Sequence, residues 1–184
     1  MAFEFPVPPR PRAGQQRAFW RAPASTSALA LGLAGLARAH PGLVLAVARD
    51  SHAASALEND LRVLAGDLPI VHFPDWETLP YDLFSPHPDI VSQRVAALFR
   101  LPSVQRGVLV VPVSSLMQRL PPPSWIAGNA LDLNKGGKLD LDSEKRRLEA
   151  AGYRNVPQVL DPGDFAVRGA LLDLFPMGSD VPYR

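Results

Sequence analysis

Hydrophobic positions along the chain switch between two rhythms. Leu29, Leu33 and Leu36 recur at i, i+4 and i+7 behind Ser25-Thr26-Ser27, which predicts a capped helix over 27–39 stopped by His40-Pro41-Gly42. Leu43–Val47 is an unbroken apolar run of strand length, the pattern of a strand covered on both faces. Ser51 is placed to cap a second helix, with Ala54, Leu57, Leu61 and Leu64 on one side and Glu58, Asn59 and Arg62 on the other; Gly66 ends it. Ile70–Phe73 reads as a short strand. Asp89 caps a third helix, with Val91, Val95 and Leu98 inward and Gln93, Arg94 and Arg100 outward. Gly107 precedes a third apolar strand, Val108–Val111, and Ser114 caps a short helix towards Leu120.

Apolar strands separated by amphipathic helices predict an α/β layer with a parallel sheet and right-handed crossovers. The rhythm changes at Pro121-Pro122-Pro123. Beyond it come a short strand over 130–133, hairpin-turn chemistry at Asn134-Lys135-Gly136-Gly137, and a helix capped by Asp140 or Asp142 that ends at Gly152. Strands over 158–160, 165–167 and 170–175 follow, with a turn at Asp161-Pro162-Gly163-Asp164. The pattern divides the chain into an extended arm (1–24), an α/β domain (25–120) and a smaller α+β domain (121–184). The last of these stops directly after a strand and a turn, which predicts part of a longer polypeptide.

Composition narrows the chemistry. The 184 residues include no cysteine, which excludes disulfides and thiolate metal sites and fits a reducing, cytoplasmic setting. Nineteen cationic against eighteen anionic residues leave +1, too little for a field that holds a polyanion. No uncharged run of membrane-spanning length occurs. The arm carries Arg10, Arg12, Arg17 and Arg21, but prolines and arginines interrupt any signal-type apolar core, and a surface-lying terminal segment is the simpler reading than a nucleic-acid tether.

The usual reactive constellations are missing. A phosphate loop needs spaced glycines followed by lysine and a hydroxyl; Gly137-Lys138 is followed by Leu139, and Asp132 stands where the first glycine belongs. Gly32 and Gly35 lie inside a helix. His87, with Asp89 and Asp82, matches no metal spacing, and Asp89 is explained as a helix cap. Asp75, Glu77, Asp82 and Asp89 are ordinary turn and cap residues rather than an evident acid–base pair. Trp76, Tyr81 and Phe84 offer rings for base stacking, yet the surrounding acids repel phosphate, so packing over the sheet edge is the preferred reading. In the second domain Arg154 follows Tyr153 after a helix-ending glycine, and Arg168 follows Phe165 at a strand end. Two readings stay open there: a partner-binding pair with an aromatic, or local ion pairs to Asp161, Asp164 or Asp173.

The segments FPDWETLPYD (73–82), SPHPDIVSQR (85–94), RGVLVVPVSSLMQR (106–119), AGYR (151–154) and RGALLDLFPMGSDVPYR (168–184) closely resemble the N-terminal region of the bacterial transcription-repair coupling factor family. That region is in turn similar to UvrB, the excision-repair helicase subunit. The resemblance implies that the first domain is P-loop-NTPase-like with a degenerate nucleotide site, since residues 25–31 stand where UvrB keeps its phosphate loop. It implies that the second domain docks on UvrA. Arg154 matches the arginine of UvrB's YxRN segment with the spacing changed by one; Arg168 matches the second arginine of FRVRG and Phe165 its aromatic, while Ala166 replaces the first arginine. The resemblance further implies no catalysis and no cofactor in this stretch, with ATP and magnesium belonging to motor domains elsewhere in the family. RNA polymerase and DNA would be reached through other regions, and the docking domain would contact downstream domains of its own chain. The competing function is a nucleotide- or DNA-binding enzyme domain of a repair helicase.

Overall fold

The computed structural model describes residues 7–79, 81–130 and 136–184. The chain is a mixed α/β protein with two compact units. The first comprises the residues up to Asp75 together with Leu101–Gln118; the second comprises Trp76–Arg100 and Arg119–Arg184. The expected domain 25–120 therefore lends its middle to the second unit.

In the first unit, α1 (Thr26–Ala39), β1 (Leu43–Ala48), α2 (Ser51–Leu64), β2 (Ile70–His72), β3 (Gly107–Pro112) and α4 (Val113–Leu116) follow in order. The sheet is parallel, with β3 between β1 and β2. Ser25 Oγ accepts the Ala28 amide at the start of α1, as its hydroxyl chemistry dictates. Asp50, not Ser51, caps α2, its carboxylate accepting the Ala53 amide at 2.7 Å. Helix α1 buries Ala30, Ala34 and Ala37 rather than centring on its leucines; Leu29 and Leu33 flank the core. Small side chains let α1 lie close to α2, whose Ala54, Leu57 and Leu61 complete the layer against Ala46, Ala48, Val108 and Val110. These sheet positions are alternate residues of adjacent parallel strands, so they share one face.

The opposite face corrects the expectation of two-sided cover along β1: Leu45 and Val47 are each 50% exposed. Gly107 is forced by backbone crowding. Its φ is +143°, and a Cβ there would lie 2.2 Å from the Pro69 carbonyl oxygen. The arm lies on α1, with Arg10 donating to the Ala39 carbonyl and Val7 against Gly35.

In the second unit, α3 (Pro88–Arg100), α5 (Pro123–Gly128), α6 (Leu141–Ala150), β4 (Arg154–Asn155), β5 (Asp164–Arg168) and β6 (Leu171–Leu174) surround a mixed sheet. Strand β5 pairs parallel with β4 and antiparallel with β6. Helix α6 is capped by Asp140 and closed at Gly152, where the Tyr153 amide returns to the Leu148 carbonyl at 2.9 Å. Its Leu148 packs on Phe165 and Leu174, with Tyr153, Val167 and Leu172 around them.

Four element expectations change. The strand over 158–160 is absent; β4 forms four residues earlier, and α5 was not foreseen. Helix α3 starts at Pro88 and buries Ser92, Arg94 and Ala97, so Arg94 points inward, 2% exposed, with its guanidinium 4.0 Å from the centre of the Trp76 ring. Ser114 does not cap α4; its hydroxyl donates to Asp75 at 2.7 Å, and Gln118 donates to the other oxygen of that carboxylate. The strand over 130–133 and the first half of the 134–137 turn lie largely outside the described residues. Among the described residues no helix is long and apolar enough to cross a membrane.

Candidate functional site

Strand alternation sorts the second unit's sheet into two faces. Phe165, Val167, Leu172 and Leu174 face the core under α6, and their neighbours Asp164, Ala166, Arg168 and Asp173 take the other face. Parallel pairing sets Arg154 opposite Asp164, on that same polar face. The two arginines singled out in the sequence thus share a face although fourteen positions separate them.

Their environments differ. Arg154 is engaged within the chain: its Nη2 lies 2.8 Å from Asp164 Oδ1 and 3.4 Å from Asp161 Oδ2. Asp164 is almost fully buried, and its second oxygen accepts the amides of Asp161 at 3.1 Å and Leu160 at 3.3 Å, tying the 161–164 turn together. Arg154 therefore compensates a buried carboxylate while more than half of its own side chain stays in solvent. Arg168 is exposed and donates to the Pro157 carbonyl, and no carboxylate lies in ion-pair range of it among the described residues. Phe165 corrects the sequence reading. It is 0% exposed, the largest side chain wholly inside, and serves the core rather than a surface.

Sequence reasoning missed the far wall of this face. Val181–Arg184 returns along β6, with Tyr183 and Leu174 exchanging backbone hydrogen bonds of 2.9 and 2.7 Å. Arg184 then forks onto Asp173 with contacts of 2.6 and 3.0 Å. That guanidinium holds the Asp173 carboxyl below its usual range, and the carboxylate holds Arg184 above its own. A groove of about 660 Å³ is lined by Pro157, Gln158, Val159, Arg168, Tyr183 and Arg184. No periodicity signals an Asp173–Arg184 pair eleven positions apart; it exists because the chain turns back at residues 176–179.

The other candidates disperse. Tyr81 and Phe84 stand in solvent at 102 and 81% exposure, so these rings do not lie over a sheet edge as expected; Trp76 packs on Arg94 instead. Asp82 accepts the Leu79 amide at 2.6 Å, and His87 and Asp89 form an exposed pair at 3.4 Å. In the first unit Glu58 bridges His72 at 2.7 Å and Arg62 at 2.6 Å. Burial pushes the Glu58 carboxyl up, but the hydrogen bonds from His72 and Arg62 outweigh it and hold the group below the usual glutamate range.

Comparison with known proteins shows what this stretch is similar to. Residues 131–184 match the family described as UvrB interaction domain, and that stretch contains the whole arginine-bearing sheet. Over nearly all of its length the chain is similar to transcription-repair-coupling factors, which bears out the resemblance read from its motifs. It is 47% identical to that of Escherichia coli over 173 residues, 94% of this chain and 15% of the relative. It is 48% identical to that of Haemophilus influenzae over 84% of this chain and 13% of the relative, and 25% identical to that of Bacillus subtilis over 77% and 12%. The chain thus spans less than one sixth of the length of these relatives.

Proposed function

We propose that this chain is a recruitment module that docks on UvrA through the polar sheet face of its second unit and so links stalled transcription to nucleotide excision repair. The supporting observation is the coincidence of the UvrB interaction domain match with a sheet that turns Arg154 and Arg168 to one face. Arg168 is the principal contact, because its guanidinium is exposed and, among the described residues, no carboxylate lies in ion-pair range of it. Arg154 contributes its exposed half while holding Asp164. The first unit acts as a scaffold derived from a P-loop-NTPase-like domain whose phosphate loop, at 25–31, has lost its lysine and glycines; neither catalysis nor a bound nucleotide is assigned to it. ATP, magnesium, RNA polymerase and DNA belong in this reading to other regions of the relatives' length. The reading as a nucleotide- or DNA-binding enzyme is not favoured, since neither comparison points to it.

Capture of purified UvrA by the purified chain tests the proposal. Arg168→Ala is expected to lower affinity by at least tenfold, as truncating one member of a desolvated charge pair costs about 2–5 kcal/mol. The melting temperature stays within about 2 °C, since exposed substitutions change stability by roughly 0.5 kcal/mol or less and 1 kcal/mol moves the midpoint of a chain of this length by about 2–4 °C. Wild-type affinity in that variant refutes the docking face.

A further inference from the structure

Resting on the docking reading above, we infer that the groove beside Arg168 receives an acidic side chain flanked by an apolar one, with Gln158 and Tyr183 as the residues that set this preference. The charge pattern carries the first half. Arg168, Arg184 and Asp173 line the groove, and both oxygens of Asp173 are taken by Arg184, so that Arg168 feels this carboxylate only at longer range and donates its hydrogen bond to a neutral carbonyl. Counted over its lining side chains the groove is therefore one positive charge in excess; both guanidiniums are exposed, but Arg184 is paired with Asp173, and the planar fork of donors on Arg168 suits a carboxylate. The walls carry the second half. Tyr183 is 59% exposed although its backbone is clamped to Leu174 in both directions, so an aromatic side chain on a fixed backbone offers more than half of its surface to solvent. Pro157 and Val159 line the same groove. A cation and an aromatic lining one groove, the aromatic having only two side-chain torsions to order, is the composition of an anchor pocket in a protein interface. Gln158 lines the same groove, is exposed and is neutral, so the charge met by the incoming group can be set there without touching the core.

The test uses the full chain and purified UvrA, titrated at low and at physiological salt. Gln158→Glu sets a carboxylate in competition for Arg168 and is expected to weaken binding about tenfold, while Gln158→Lys retains or tightens it. Tyr183→Ala is expected to weaken binding about tenfold at either salt concentration, because the lost contact is apolar, and Tyr183→Phe restores it. Should Tyr183→Ala loosen the sheet edge, seen as faster exchange of the Leu174 amide, the two Gln158 variants decide alone. Gln158→Glu binding as well as wild type, or Gln158→Lys binding worse than Gln158→Glu, overturns the inference. If Arg168→Ala binds normally, the docking reading itself fails; if Arg168→Ala loses binding while the Gln158 and Tyr183 variants do not, only the groove assignment falls.

Discussion

Replacing Phe165 with alanine separates a core role from a contact role. The ring is wholly enclosed by Leu148, Leu174, Tyr153, Val167 and Leu172. A buried aromatic removes roughly 150–250 Å² from water, which at about 25 cal/mol per Å² corresponds to roughly 4–6 kcal/mol. Truncation of a core phenylalanine costs about 3–5 kcal/mol in practice. Whole domains are stable by only about 5–15 kcal/mol, and small ones sit at the low end. Three buried apolar side chains, with Tyr153, Val167 and Leu172 packed around them, make up this cluster, so losing the largest is expected to bring the second unit near its midpoint. Hydrogen exchange read by mass spectrometry resolves the effect. Amides of the second sheet, such as Val156 on the Phe165 carbonyl and Phe175 on the Asp164 carbonyl, lose protection, while those of β1 and β3 keep it. A Phe165→Ala protein that retains protection and melting temperature yet no longer captures UvrA would contradict the burial argument and return Phe165 to the interface.

Other consequences are equally direct. Arg154→Ala leaves Asp164 buried without its cation and is expected to lower stability by about 1–2 kcal/mol, less than for a sealed pair because Arg154 is more than half exposed; an unchanged urea midpoint refutes that role. Gly107→Ala drives a Cβ into the Pro69 carbonyl at a positive φ and is expected to cost at least about 3 kcal/mol, read as loss of protection across β2 and β3. Glu58 titrates lower in the folded than in the unfolded chain. Its stabilisation is present above the ordinary glutamate range and disappears as pH falls through the lowered folded value. Urea midpoints of the wild type drop across that acid window, whereas Glu58→Gln starts lower at neutral pH and slopes less.

The parallel layer was legible because its strands are short apolar runs and its helices carry one-sided stripes. What stayed hidden depends on contacts distant in sequence. Periodicity sent Arg94 outward; Trp76, eighteen positions upstream, brings it in. The leucine stripe of α1 overstated its bulk, since contact with α2 selects the alanines between the leucines. At the candidate site, residue types pointed to Arg154 and Arg168, and pairing register then put them on one face. Phe165 was misread because a motif gives the order of residues but not which side of the pleat each occupies. Arg184 was invisible for the opposite reason: its partner is chosen by a chain reversal, not by spacing.

The Ser92 hydroxyl accepts the Gly178 amide at 2.7 Å, and Gly178, at φ +89°, has room for no Cβ because Ala96 would lie 2.9 Å away. That clasp fastens α3 to the turn after β6, although eighty-six positions separate its two halves. A transplantable cassette is accordingly discontinuous. Anyone grafting residues 131–184 onto another scaffold would leave behind the helix on which its closing turn is seated, and residues 76–100 have to travel with it.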